Sequence, residues 1–119
     1  MEKTTSYIIV RLQVEGLHKW TAAEKTIPAV GYLSHLHRHN FHIEIKKQVV
    51  NDDRQIEFIM YKRQVNQYLT KKYYDSKYDC LNFDSMSCEM IAKELLEAFS
   101  AEYVMVDEDG ENGAEIFNG

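Results

Sequence analysis

Two stretches of this 119-residue chain alternate apolar and polar side chains with period two, and they limit the possible fold more than any other feature. In "SYIIVRLQVE", Ser6 to Glu15, the apolar residues Ile8, Val10, Leu12 and Val14 share one parity, while Arg11, Gln13 and Glu15 take the other. From about His37 to Val49, Phe41, Ile43 and Ile45 occupy odd positions against His42, Glu44 and Lys46. Successive side chains of a strand point to opposite faces, so each stretch predicts a strand with one face in a core and one in water. The period then changes. Between Arg54 and Tyr73, Phe58, Tyr61, Val65 and Tyr68 or Leu69 recur at three and four residues, the stripe of an amphipathic helix. A polar, turn-like stretch, "YDSKYDCLNFDS", ends it. Cys88, Ile91, Leu95 and Ala98 then keep the helical spacing, and Asp84, Ser85 or Ser87 can accept hydrogen bonds from the free amides at that helix start. "AEYVMVDE" reads as a third strand and "ENGAEIFNG" as a turn plus a short terminal strand. The order β-β-α-α-β-β predicts an α+β fold with antiparallel hairpins at both ends and two helices between them.

The length suits one domain, residues 1–119, with a core that is thin for a monomer. Hydrophobic residues at 45% and charged residues at 28% match a soluble globular chain and exclude a disordered one. No apolar run approaches the length of a bilayer span, and "MEKTTS" leads directly into a strand pattern, so a cytoplasmic protein without membrane association is expected. A net charge of -5 opposes nucleic-acid binding, which needs clustered Lys and Arg in excess; "MYKR" and "TKKYY" read as solvated helix faces. Cys80 and Cys88 are too few for a disulfide scaffold and lack a CxxC spacing, so both are read as reduced thiols.

Four of the five histidines, His35, His37, His39 and His42, fall within eight residues. Parity sorts them. The apolar face of the second strand begins with His37 and His39, and the apolar face of the first runs through Val14 and Gly16 to His18. Antiparallel pairing of consecutive strands brings the end of the first beside the start of the second, so these three imidazoles are expected to meet on the core side. Three histidine nitrogens with a fourth position open form the ligand set of a catalytic zinc site. The alternative is that they are polar surface or hydrogen-bonded core residues. His35 has the matching parity but lies in the preceding loop, and His42 is expected to face away.

At these residues the chain resembles a known family. "LHRHNF", Leu36 to Phe41, resembles the LHGHNY motif of the 6-pyruvoyl tetrahydropterin synthase and 6-carboxy-tetrahydropterin synthase family, and "VEGLH", Val14 to His18, is similar to its F-x-A-x-H strand end. "IEFIMYK" is similar to the family's V-x-D-F-x-x-x-K helix start, "LNF" to the end of L-D-H-x-x-L-N, "MSCEMIA" to P-T-x-E-x-x-A, and "VMVDE" to V-x-V-x-E. The resemblance implies the tunnelling fold, ββααββ with a four-stranded antiparallel sheet and two helices on one face. It also implies a homo-oligomer, a hexamer or other ring. Zinc ligands would be His18, His37 and His39, and Glu108 would anchor a pterin or purine-like ligand, with Ser87 and Glu89 at the family's other ligand-side positions.

The chain departs from the family where protons are moved. Leu33 stands at the usual catalytic cysteine, and Lys77 and Tyr78 stand at the usual Asp-His pair. Leucine cannot transfer a proton, and tyrosine, which titrates near pH ~10, is a poor base at neutrality. His35, Tyr78 and Cys80 are the candidate proton-transfer residues, and Glu24 lies in the loop before the motif. Arg38, in place of the motif's glycine, could reach a substrate phosphate or simply face solvent. The expected function is a zinc-dependent lyase on 7,8-dihydroneopterin triphosphate, in pterin or deazapurine (queuosine) biosynthesis. The alternatives are a non-catalytic zinc-containing binder of a pterin, purine or nucleotide, and a structural oligomer.

Overall fold

The computed structural model describes residues 3–119. One sheet, in the order β3-β4-β1-β2-β5-β6, carries the fold. Strands β1 (Ser6–His18) and β2 (His37–Val49) form its centre, an antiparallel ladder running from Ser6 opposite Val49 to His18 opposite His37. β5 (Tyr103–Glu108) pairs antiparallel with β2 and with β6 (Asn112–Phe117). The expected parity holds: Val10, Leu12, Phe41, Ile43, Ile45, Val104 and Val106 are buried on one face. Helices α2 (Phe58–Tyr73) and α3 (Cys88–Ala98) cover that face with Tyr61, Val65 and Leu69, and with Ile91, Ala92 and Leu95. Both helices thus lie on one face of the sheet, as expected. Among the described residues, no helix is long and apolar enough to cross a membrane.

The structure adds elements that the alternation pattern does not reveal. "YDSKYDCLNFDS" is not only a turn: β3 (Tyr74–Asp75) and β4 (Cys80–Asn82) form a hairpin whose second strand pairs parallel with β1 at Gly16 and Leu17, giving six strands in place of four. Strands of two and three residues are too short to show a period. Asp75 supplies the missing cohesion, accepting from the Lys77 amide and from Asn82 Nδ2. β1 also continues past Glu15, and its last three residues, Gly16, Leu17 and His18, are all buried. There the strand is interior, with β2 and β4 on its two sides, so the alternation disappears. Helix α2 begins at Phe58 because the Glu57 carboxylate accepts from the Ile59 and Met60 amides, at 2.9 and 3.1 Å. Between β1 and β2, a single helical turn α1 (Ala23–Thr26) and 3-10 turns over Pro28–Ser34 replace a plain loop.

Candidate metal centre

The end of the β1–β2 ladder assembles the site. His18 pairs with His37, and His39, two residues further along β2, pairs with Gly16. Residues i and i+2 of a strand share a face, so the three rings converge. Their centroids are 4.7, 5.0 and 5.2 Å apart, and one ring nitrogen from each lies within 4.8 Å of the others. Phe41, fully buried, forms the floor, with its ring edge-on to His18 and His39. Gly16 leaves the room above Phe41 and Phe83 that any side chain would fill.

Each ring is fixed through Nδ1. His18 Nδ1 donates to the Met86 carbonyl at 2.9 Å, His37 Nδ1 to the His35 carbonyl at 2.8 Å, and His39 Nδ1 to Asp109 Oδ2 at 2.7 Å. Carbonyl oxygens only accept. Asp109 is held below the usual carboxylate range by its bonds from His39 and from the Asn40 amide, so it too is an acceptor. All three Nδ1 atoms therefore carry hydrogen, which leaves the Nε2 atoms to face the centre. The Nε2 atoms of His18 and His39 are buried without a hydrogen-bond partner. Burial, the largest influence, pushes the His18 pKa down, as do the neighbouring imidazoles; the Met86 carbonyl and Glu108 oppose this. Three imidazoles turned to one centre, two of them with buried Nε2 atoms that lack a partner, and backed by a carboxylate and two carbonyls, fit a first-row divalent metal of the zinc type.

Glu108, the last residue of β5, is opposite Phe41 and reaches two of the three rings, His18 and His39. Its Oε2 is 2.8 Å from His18 Nε2 and 3.6 Å from His39 Nε2. The shorter approach lacks hydrogen-bond alignment, which is why His18 Nε2 has no partner despite it.

The other candidates lie around this core. His35 contributes its carbonyl, to His37, and its side chain is exposed. Cys80 alternates with core-facing Leu81 and so points to the opposite face of the sheet, the side of Glu15 and Arg38, which pair at 2.8 Å. Burial raises the Cys80 thiol pKa, with Arg38 partly opposing. Tyr78 sits half-buried in the β3–β4 turn. Ser87 caps α3, accepting from the Met90 amide at 3.2 Å, and Glu89 is exposed on the first turn of that helix. His42 lies on the far face of β2, and Glu24 packs against Gly31. Sequence reasoning missed Met86 and Asp109. A backbone carbonyl leaves no trace in residue identity, but the Asp-Gly at 109–110 is a tight-turn signal that places an acid beside the start of β2.

No protein-family model matches the chain, and no curated protein matches it in sequence. Solved structures do match over nearly all of it. An uncharacterised protein of Wolinella succinogenes aligns with a TM-score of 0.67 at 12% identity, covering 98% of this chain and 100% of that one. The 6-pyruvoyl tetrahydropterin synthase of Plasmodium falciparum aligns with a TM-score of 0.57 at 15% identity, covering 98% and 99%. At these identities the likeness is one of fold.

Proposed function

From the premise that the chain has the tunnelling fold of 6-pyruvoyl tetrahydropterin synthase, we propose that it is a divergent, zinc-dependent protein of the 6-pyruvoyl/6-carboxy-tetrahydropterin synthase type. Its substrate would be 7,8-dihydroneopterin triphosphate, in pterin or deazapurine biosynthesis. The observation that carries this reading is the convergence of His18, His37 and His39 with every Nδ1 occupied by an acceptor. Bound zinc supplies Lewis acidity toward the oxygens of the substrate side chain. The protein's own residues do the rest: the three histidines orient the site, and Phe41 and Phe83 exclude water beneath it. The Glu108 carboxylate accepts paired hydrogen bonds from the amino and ring NH edge of a pterin. Ser87 and Glu89, at the start of α3, border the ligand. His35 and Tyr78 are the groups proposed for proton transfer, while Cys80 faces the opposite side of the sheet.

A second reading, binding without turnover, is favoured by the raised Cys80 pKa and by its place on the opposite face of the sheet. A protonated thiol is a poor base. Incubation of the zinc-loaded protein with 7,8-dihydroneopterin triphosphate separates the two. Triphosphate release with a new pterin product supports the synthase; saturable binding without either supports the binder; neither turnover nor binding removes both. We further propose a cytoplasmic ring of identical copies. The sheet ends in strands whose Tyr74 and Phe117 are 50% and 66% exposed, apolar area that pairing between copies would cover.

A further inference from the structure

The position of Glu108 is not accounted for by a role in holding a pterin edge alone. With Nδ1 of His18 turned to the Met86 carbonyl, Nε2 is the ring nitrogen that faces the centre, and a carboxylate oxygen stands 2.8 Å from it. Atoms of these two kinds approach so closely around a shared cation, a proton or a metal ion, and this approach lacks the alignment that a hydrogen bond needs. A metal ion needs no alignment of the two atoms with each other, only that both lone pairs reach it. His18 is 7% exposed and His39 Nε2, which lacks a partner as well, is 3.6 Å from the same oxygen. Three neutral imidazoles leave a dication's charge uncompensated in a half-buried site, and one carboxylate halves it.

We infer that Glu108 is the fourth ligand of the metal held by His18, His37 and His39 in the ligand-free protein, closing the site until an incoming ligand displaces its carboxylate. The inference rests on the three-histidine metal site proposed above and deepens it. A closed four-ligand set is inert, whereas a set with one exchangeable position binds substrate. The hydrogen-bonding edge of a pterin that claims the Glu108 carboxylate would thereby free the coordination position its own side chain needs. The role proposed for Glu108 toward the ligand and its role toward the metal are then successive states of one residue.

The test uses the whole chain with zinc, with cobalt(II) as a spectroscopic replacement, and with azide as a small anionic probe of an open position. Glu108→Gln is expected to keep its far-ultraviolet circular dichroism and to bind zinc at least about tenfold more weakly in a chelator competition, the least effect expected for losing a group in direct contact. Azide is expected to shift the visible band of its cobalt form at concentrations at least about tenfold lower than for the wild type, because water replaces the carboxylate. Glu108→Asp keeps the charge but shortens the reach, and shows the same two changes; it carries the test should the glutamine variant not fold. Matching zinc affinity and matching azide response in wild type and variants overturn the inference. If His37→Ala abolishes zinc binding in that case, the histidine site stands and only the role of Glu108 falls. If the wild type binds no zinc, both fall.

Discussion

Gly16→Ala tests how tightly the histidine cluster is tied to the core, without touching any of its three histidines. A Cβ at position 16 would lie 2.9 Å from Phe83 Cε2 and 3.1 Å from Phe41 Cδ2 and Cε2, where ordinary contact begins at 3.4 Å. Neither ring has free space. Phe41 is fully buried and edge-on to His18, His39 and Phe83, at centroid distances of 5.2, 5.6 and 5.3 Å; Phe83 is packed against Tyr73 at 4.9 Å. Overpacking of this kind costs ~1–3 kcal/mol. Restricting the unfolded chain by replacing glycine returns ~0.4–1 kcal/mol. The metal-free variant should therefore lose about 1 to 2 kcal/mol, a fall in Tm of about 4 to 8 °C for a domain of this size. Phe41 packs directly on His18 and His39, so its displacement should lower zinc affinity along with stability. Adding Phe83→Leu makes room, and the double variant should be better than the sum of its parts by ~0.5–3 kcal/mol. Thermal melting of the metal-free proteins and a zinc competition titration read both effects. A Gly16→Ala protein that melts no lower than wild type and binds zinc equally well would refute the view that Phe41 couples core packing to the histidines.

Two further perturbations separate charge from packing. Asp109→Asn keeps an oxygen for the Asn40 amide and suits the positive φ of 61° at that position, but removes the charge behind His39. Zinc affinity should drop about 10- to 100-fold with only a small fall in the metal-free melting temperature; a competition titration checks it, and an unchanged affinity would show that the carboxylate does not tune His39. Glu57 is held below its ordinary pKa of 4.5 by the Ile59 and Met60 amides it caps. A depressed carboxylate pKa stabilises the fold above pH ~4.5, and that contribution is lost as pH falls through the lower folded value. Melting curves from pH ~6 to ~3 should show wild type above Glu57→Gln at the upper end and the gap closing toward the lower; a gap independent of pH would remove the capping explanation.

The long strands and the meeting of His18 with His37 and His39 were legible because each rests on a period repeated many times. Parity along Ile8, Val10, Leu12 and Val14 and along Phe41, Ile43 and Ile45 sets which face each residue takes, and adjacency of consecutive strands then sets the register to within a residue or two. The α3 start was legible for a similar reason: Ser87 lies at one of three positions able to cap it, and its hydroxyl does so. Where the information is not periodic, the sequence was silent. The β3–β4 hairpin depends on Asp75 reaching the Asn82 side chain and on Gly16 and Leu17 offering a parallel edge to Leu81 and Asn82, which are 65 residues away. The groups that fix the imidazoles come from three separate places: the backbone at Met86, the backbone at His35, and a turn acid at Asp109. Glu108 was readable as a ligand-side acid through the resemblance of "VMVDE" to V-x-V-x-E, but its approach to His18 depends on how β5 docks on β2.

The most direct test of the histidine site is the zinc content of the protein after equilibration with zinc and removal of free metal, measured by elemental analysis for wild type and His37→Ala side by side. The convergence of three Nε2 lone pairs predicts one zinc per chain in the wild type and its loss in the variant. Equal zinc in the two, or none in the wild type, would contradict it.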